Sequence, residues 1–192
     1  MGKEYELKYK ANGAKLASLR EKYHDFFAIS MQTRYFDTPQ RDLQQRRWTL
    51  RFRQENEKSV CGLKTPGKNL VRGEWEVENP DLEAGVKALC TMDVPKEFPG
   101  LVAKGLQEVC AAEFIRLAKS IRYKGCTVEL ALDQGAFIGK DTRQPFAEVE
   151  VELKQGSRAD ATEFARALAA EFQLEEETVS KFERAFALAE GE

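Results

Sequence analysis

An α+β domain built on an antiparallel sheet or barrel is the fold class this sequence predicts. Separate segments along the chain alternate polar and apolar residues with a period of two, which is the signature of strands. A few amphipathic helical stretches accompany them. The 192 residues show no low-complexity linker and no repeat of solenoid length, and 42% are hydrophobic, so one domain with a sizeable core is expected.

The elements follow in order. Residues 3–10, KEYELKYK, alternate charged with aromatic or aliphatic side chains and read as a strand, broken at Asn12-Gly13. Residues 14–24 read as a helix, with Leu16, Leu19 and Tyr23 at helical spacing. Strands are predicted at 31–37, stopped by Thr38-Pro39, and at 47–54, 58–65 and 71–78, the last two ended by Pro66-Gly67 and Asn79-Pro80. Residues 81–90 carry Leu82, Val86 and Leu89 on one side and form a short helix. After a loop marked by Pro95 and Pro99-Gly100, residues 101–110 suggest another. Two longer strands, about 113–123 and 126–133, turn at Gly125. Asp133-Gln134-Gly135 reads as a further turn before a short strand near 136–140. Residues 145–154, PFAEVEVELK, alternate most clearly, and Gly156-Ser157 ends them. Residues 157–172 and 176–189 are predicted as two amphipathic helices, the last with Val179, Phe182, Phe186 and Leu188 as its apolar set.

Composition excludes several functions. Thirty Lys and Arg against 32 Asp and Glu leave a net charge of −2, without the basic excess of a generic nucleic-acid binder. The single histidine, His24, rules out a histidine metal cluster, and its place beside Asp25 at a helix end disfavours a Ser-His-Asp triad. Cys61, Cys90, Cys110 and Cys126 form no Cys-x-x-Cys pair. The N-terminus, MGKEYE, lacks the apolar stretch of a signal peptide, and Leu7 stands where a myristoylation motif needs Ser or Thr. No apolar run approaches the roughly 20 residues of a membrane span. A cytoplasmic protein with reduced thiols is expected.

The charges are ordered by strand parity, since residues i, i+2 and i+4 share a face. Glu4, Glu6 and Lys8 oppose Tyr5, Leu7 and Tyr9; Arg51 and Arg53 oppose Leu50 and Phe52. Lys64 opposes Leu63, while Arg72, Glu74 and Glu76 oppose Val71, Trp75 and Val77. Arg116 and Arg122 share a face, Glu129 shares one with Asp133, and Glu148, Glu150 and Glu152 oppose Val149, Val151 and Leu153. Such faces could be the solvated outside of an antiparallel sheet. However, three Glu on one face repel one another unless cations neutralise them, and clustered Arg and Lys invite polyanions. A closed sheet with its charged faces inward accounts for both. Its acidic clusters would hold Mg²⁺ or Mn²⁺ and its basic clusters phosphate oxygens, the combination that phosphoryl transfer requires.

The ordered set of motifs resembles the CYTH superfamily, the triphosphate tunnel metalloenzymes. Glu4-Tyr5-Glu6-Leu7-Lys8 is similar to its E-x-E-x-K signature, Tyr35-Phe36-Asp37-Thr38-Pro39 to Y-[YF]-D-T-P, and Leu50-Arg51-Phe52-Arg53 to L-R-x-R. Gly62-Leu63-Lys64 resembles the T-x-K strand, and Arg72, Glu74 and Glu76 resemble R-x-E-x-E. Residues 129–135, ELALDQG, resemble E-x-A-L-D-x-G; Glu148, Glu150 and Glu152 resemble E-x-E-x-E-L, and Ser180-Lys181 the S-K of the final helix.

The resemblance implies an eight-stranded antiparallel closed β-tunnel with a charged interior, spanning residues 1–192 as one CYTH domain. The C-terminal helices, about 158–189, would pack on the tunnel and cap it. It further implies hydrolysis of inorganic triphosphate, or a related polyphosphate, with Mg²⁺ or Mn²⁺. By matching position, Glu4, Glu6, Glu148, Glu150 and Glu152 would form the metal set, parity leaving open which of the last three touch the ion. Glu74, Glu76 and Asp133 would complete the acidic side or orient water. Lys8, Arg51, Arg53, Lys64, Arg72, Arg116, Arg122 and Lys181 would grip phosphates, Lys181 as a surface lysine of the last helix reaching into one tunnel mouth. The segments YFDTP, LALDQG and QPFAEVEVELKQG look most like bacterial inorganic triphosphatases, many of which carry an all-helical CHAD domain after the tunnel. The alternatives are an organic triphosphate enzyme (thiamine triphosphatase, nucleoside or RNA triphosphatase, class IV adenylyl cyclase) and a non-catalytic polyphosphate-binding module. Trp48, Phe52 and Trp75 fall on the parity opposite the charged sets and leave little aromatic surface for an organic head group, although Phe146 could reach the tunnel mouth.

Overall fold

The computed structural model describes residues 2–67 and 71–191, with side chains for 4–67 and 73–191. Strand β1 (Gly2–Lys10) leads into helix α1 (Gly13–Tyr23), whose first turn is held by the Asn12 side chain accepting from the Lys15 N–H at 3.0 Å. Then come β2 (Phe27–Asp37), the single-turn α2 (Asp42–Gln45), and the meander β3 (Thr49–Glu55), β4 (Lys58–Thr65) and β5 (Val71–Glu78). Helices α3 (Leu82–Cys90) and α4 (Phe98–Val102) precede the long strands β6 (Gln107–Tyr123), β7 (Cys126–Ile138) and β8 (Arg143–Gly156). Helix α5 (Arg158–Phe172), the two-residue β9 (Glu175–Glu176) and α6 (Lys181–Glu190) complete the described chain.

All pairings are antiparallel, in the order β5-β4-β3-β2-β6-β7-β8-β1. The first residues of β1 also pair with β5, Gly2 opposite Glu74 and Tyr5 opposite Val71, which joins the two ends of the sheet into an eight-stranded tunnel. The far end of β1 is covered by β9, with Tyr9 opposite Glu176. Closure removes the exposed edges that an open sheet would present.

Two apolar layers lie on the outer face. Helices α1 and α5 cover β1, β7 and β8, burying Leu16, Leu19, Phe164 and Leu168 against Val128, Leu130, Val149 and Val151. Helices α3 and α4 cover β3–β5, burying Val86, Leu89, Phe98 and Leu101 against Leu50, Leu63 and Trp75. Each such side chain contributes about 1.5–3 kcal/mol on burial, so these outward-facing apolar rows hold the charged faces inward. Helix α6 is different. Its Phe182, Ala185 and Ala189 pack on Met31, Tyr35, Phe114, Phe137 and Phe146, which share strand faces with the charged interior. The inner face is thus apolar at one end, and α6 seats there; the small Ala185 and Ala189 allow close approach. Val179, expected in its apolar set, precedes the helix and is 42% exposed.

Several boundaries differ from the sequence reading. The helix expected at 101–110 is the short α4, which begins earlier because Pro99 is tolerated in a first helical turn, where its missing N–H costs no bond. Residues 107–110 already belong to β6, with a bulge opposite Tyr35/Phe36. Gly135 is not in a turn: β7 runs straight through it, opposite Phe114 and Phe146. A Cβ there would stand 2.1 Å from the Glu113 carbonyl oxygen, so this glycine marks a close backbone approach inside the sheet. The last helix begins at Lys181, not 176, fixed by a capping box in which Ser180 and Glu183 bond each other's backbone N–H groups.

Candidate active site: a charged tunnel

The tunnel encloses a cavity of about 320 Å³. Strand β1 contributes Glu4, Glu6 and Lys8; β3 contributes Arg51 and Arg53; β4 contributes Lys64; and β5 contributes Glu74 and Glu76. Across from them stand Arg116 of β6, Glu129 of β7, Glu150, Glu152 and Lys154 of β8, and Lys181 of α6. The register explains the clustering. Glu129, Glu152 and Glu6 are directly opposite one another on β7, β8 and β1, making one acidic row; Lys8 and Glu150 are partners in the next.

Most of the cations are held by carboxylates. Arg51 Nη2 donates to Glu74 Oε1 at 3.1 Å and Glu76 Oε1 at 2.6 Å, and Lys64 Nζ to both oxygens of Glu4 at 2.6 and 2.7 Å. Arg53 is paired with Glu55 and lies 3.6 Å from Glu76. Arg116 grips Asp133 with two bonds, 2.8 and 2.7 Å, and also reaches Glu150. Lys181 Nζ meets Asp133 at 2.8 Å, Glu150 at 2.6 Å and Glu148. Lys8 is buried near Glu150 and Glu6 yet has no hydrogen bond or ion pair of its own among the described residues, so its ammonium is available to an anion. The buried Nε donors of Arg51 and Arg53 lack partners as well. Gly62 makes room for this side: a Cβ there would come within 3.4 Å of Arg51 Nε and Glu76 Cγ.

The acidic row is short of positive charge. Lys154 lies 2.6 Å from Glu152 and 3.7 Å from Glu129, but Glu6 has no ion pair among the described residues. Burial, then the Glu150 and Glu4 charges, push the Glu6 carboxyl up to about 7. Burial likewise raises Glu152, Lys154 offsetting it only in part. Burial also acts on Glu4 and Glu150, but there the cations win, Lys64 at Glu4 and Lys181 with Arg116 at Glu150, and hold both below the usual range. Like charges directly opposite across a sheet destabilise it. A hard divalent cation among Glu6, Glu152, Glu129, Glu4 and Glu150 would remove that repulsion with oxygen donors alone, so the residues fit such an ion.

A pH dependence follows. Glu6 keeps its proton in the fold up to about pH 7, whereas the unfolded chain releases it near the ordinary Glu value of about 4.3. Between those values the folded state holds more protons, so metal-free stability should fall as pH rises. Mg²⁺ needs the ionised carboxylate, so its binding should strengthen over pH 6 to 8. Melting curves across pH 5–8 in EDTA and in Mg²⁺ should diverge with rising pH; parallel curves would remove Glu6 from the cation site.

The comparisons bear on this arrangement. Residues 2–186 match the CYTH domain family. The chain belongs to the CYTH family. A protein named inorganic triphosphatase, from Haemophilus influenzae, is 29% identical over 156 residues, covering 80% of this chain. The CYTH chain spans 44% of that relative's length. The PH1819 protein of Pyrococcus horikoshii is similar in structure, with a TM-score of 0.65 at 23% identity over 98% of this chain and 99% of that one. So is HpAC1 of Hippeastrum, with a TM-score of 0.65 at 18% identity over 98% and 96% of the two chains; it is named as a candidate adenylyl cyclase with dominant triphosphatase activity. At these identities the two structures establish the fold, a tunnel of antiparallel strands with helices outside.

Within the CYTH tunnel, the residues singled out by sequence fall in different places. Glu4, Glu6, Lys8, Arg51, Arg53, Lys64, Glu74, Glu76, Arg116, Glu150, Glu152 and Lys181 line the cavity. Asp133 and Glu148 are completely buried behind that lining, both bonded to Lys181. Together with Glu150 their oxygens lie within 4.8 Å of one another, but Arg116, Lys181 and Arg184 already neutralise them. Arg122 is exposed near the end of β6, opposite Thr127, and does not line the cavity. Arg72 sits opposite Glu4 in β5; its side chain is outside those described. Lys181 is not a surface lysine, its side chain being 11% exposed. Phe146, expected near the tunnel mouth, stacks on Phe137 at 4.3 Å beneath α6. Lys154, Glu55 and Arg184 were not selected from sequence. Lys154 continues the parity of Glu148, Glu150 and Glu152, and Arg184 follows Lys181 by three residues on a helix face, so both were within reach of the same spacing rules. Glu55 likewise follows Arg53 by two.

Among the described residues no helix is long and apolar enough to cross a membrane.

Proposed function

We propose that this CYTH chain hydrolyses inorganic triphosphate to pyrophosphate and phosphate, using Mg²⁺ or Mn²⁺. The observation that carries the reading is one cavity holding an acidic row, Glu6, Glu152 and Glu129, together with a basic set of Lys8, Arg51, Arg53, Lys64, Arg116 and Lys181. The Haemophilus relative named inorganic triphosphatase supports it.

The roles follow from position. Lys8, Arg51, Arg53 and Lys64 would bind phosphate oxygens from the β1–β4 side, Arg116 and Lys181 from the other. Glu74 and Glu76 hold Arg51 in place, and Asp133 holds Arg116, so the donors are oriented before substrate arrives. Glu4, Glu6, Glu150 and Glu152 would hold the cation. Such a cation supplies charge neutralisation of phosphate oxygens and activation of water. In the net reaction the water oxygen bonds a terminal phosphorus, the bridging P–O bond breaks, and pyrophosphate leaves. Arg51 and Lys64 are largely withdrawn from solvent, their side chains 13% and 15% exposed, which strengthens their contacts.

An organic triphosphate is the second reading. It is favoured by an adjoining chamber of about 460 Å³ lined by Gln44, Arg47, Thr65, Thr178 and Phe182, which leaves room beyond the phosphates. That chamber offers a single aromatic ring among its described lining, and Phe182 is itself packed against Tyr35 at 5.3 Å. Phosphate release should therefore be measured on inorganic triphosphate, thiamine triphosphate, ATP and pyrophosphate with Mg²⁺ or Mn²⁺. Inorganic triphosphate should exceed ATP in kcat/KM by about tenfold or more, a difference of about 1.4 kcal/mol in barrier. Equal or better turnover of ATP, or formation of cyclic AMP, would transfer the assignment to the second reading. Binding without turnover would leave a polyphosphate-binding module.

A further inference from the structure

The three alternating glutamates of β8 have unlike surroundings. Glu150 and Glu152 line the cavity, whereas Glu148 is fully buried and does not. Both Glu148 oxygens are taken by cations of α6: Oε1 by Lys181 and Oε2 by Arg184. Arg184 also donates from Nη1 to Glu177 Oε2 at 3.2 Å, and its guanidinium lies 4.7 Å from the Phe137 ring centre. Glu177 ties this group to the tunnel wall, its N–H donating to the Lys8 carbonyl at 2.8 Å and its Oε1 accepting from the Val179 N–H at 2.8 Å.

We propose that these glutamates divide their work. Glu150 and Glu152 serve the cation and substrate, Glu148 is a buried anchor and not a metal ligand, and Arg184 is the positioning residue that holds Lys181 over the cavity. The proposal rests on the metal-dependent triphosphatase reading. Glu148 is completely buried and outside the cavity lining, so a cation seated among the cavity carboxylates does not reach it; Glu150 also has both oxygens on cations, Arg116 and Lys181, but it faces the cavity. Moving Arg184 away would leave the buried Glu177 without an ion pair and Glu148 with Lys181 alone, which is unfavourable. Lys181 is in a different position. Asp133 and Glu150 keep Arg116, and Glu148 keeps Arg184, so when Lys181 turns its ammonium to a phosphate each of the three carboxylates still touches one cation, with two cations then serving three. The Arg184–Glu148 pair is what makes that exchange affordable.

The test separates metal binding from substrate binding. Mn²⁺ alone should be titrated into wild type, Glu148→Gln, Glu150→Gln and Arg184→Ala, with free Mn²⁺ read by electron paramagnetic resonance. Glu148→Gln and Arg184→Ala should keep the Mn²⁺ dissociation constant within about threefold, while Glu150→Gln weakens it about tenfold or more. Arg184→Ala should raise KM for triphosphate about tenfold with a smaller change in kcat, and Arg184→Lys should recover part of it. Amide exchange over residues 183–190 should accelerate about tenfold in Arg184→Ala with β8 unchanged. A loss of Mn²⁺ binding in Glu148→Gln equal to that in Glu150→Gln would overturn the anchor assignment. Unchanged KM and exchange in Arg184→Ala would overturn the positioning role. Should Arg184→Ala fail to fold, Arg184→Lys and Glu177→Gln, which loosen the same clamp, must show the exchange and KM effects. If wild type does not hydrolyse triphosphate, the functional reading fails by itself, and the Mn²⁺ and exchange measurements still decide the anchor.

Discussion

Excess EDTA should reduce triphosphate hydrolysis by roughly 10³-fold or more, about 4 kcal/mol of barrier, and Mg²⁺ or Mn²⁺ should restore it. The size follows from the charges. Glu6, Glu152 and Glu129 face one another on three adjacent strands, and Glu6 is raised to about 7 by burial and by neighbouring carboxylates. A polyanion entering that cavity without a cation would add to the repulsion. Glu150→Gln should reproduce much of the loss, because Glu150 lies beside the acidic row and is bonded to Arg116 and Lys181 at once. Its defect should lessen at high Mn²⁺ if weakened cation binding is the cause. Full turnover by protein shown to be metal-free would remove the metal-dependent mechanism.

Lys181→Ala should both weaken triphosphate binding and lower the melting temperature, the latter by about 10 °C. Its ammonium sits among Asp133, Glu148 and Glu150, two of which are completely buried. Removing one partner from a buried ion pair costs about 3–5 kcal/mol, and each kcal/mol corresponds to roughly 2–4 °C in a domain of this size. Arg116 and Arg184 remain as partners, which places the expected loss toward the lower end. A surface lysine would give a shift of at most about 4 °C, since exposed pairs contribute about 0–1 kcal/mol. Differential scanning calorimetry on the metal-free variant, paired with triphosphate titration, checks both halves. A melting temperature within that small range would mean that Lys181 points to solvent.

Sequence spacing reached far into this site because a strand has a side-chain period of two. Glu4, Glu6 and Lys8, or Arg51 and Arg53, share a face whatever the rest of the chain does, and the apolar residues between them need cover. The charged faces repel one another unless mixed, so an interior of both signs was legible as a hypothesis from parity and charge. The same rule applied one residue further would have added Lys154 to Glu152 and Glu55 to Arg53. Where local signals were ambiguous, the spacing misled. Gly135 looks like a turn, because a glycine in isolation cannot show that its missing Cβ is required by the Glu113 backbone on a neighbouring strand. The first residues of β2, Phe27–Ser30, lack alternation and take their strand geometry from pairing with Ala118–Ile115.

By itself, the sequence determined which side chains share a face, that those faces carry opposite charges, and the ordered motifs of the CYTH family. These are local properties, fixed by backbone geometry within a few residues. The tertiary structure decided which way the faces point, through the β1–β5 pairing that closes the tunnel and the outer helices that cover the apolar rows. It also decided how the three glutamates of β8 differ. Residues of one parity are equivalent along a strand, and only the seating of α6, which brings Lys181 and Arg184 onto Glu148, makes the first of them a buried anchor while Glu150 and Glu152 face the cavity.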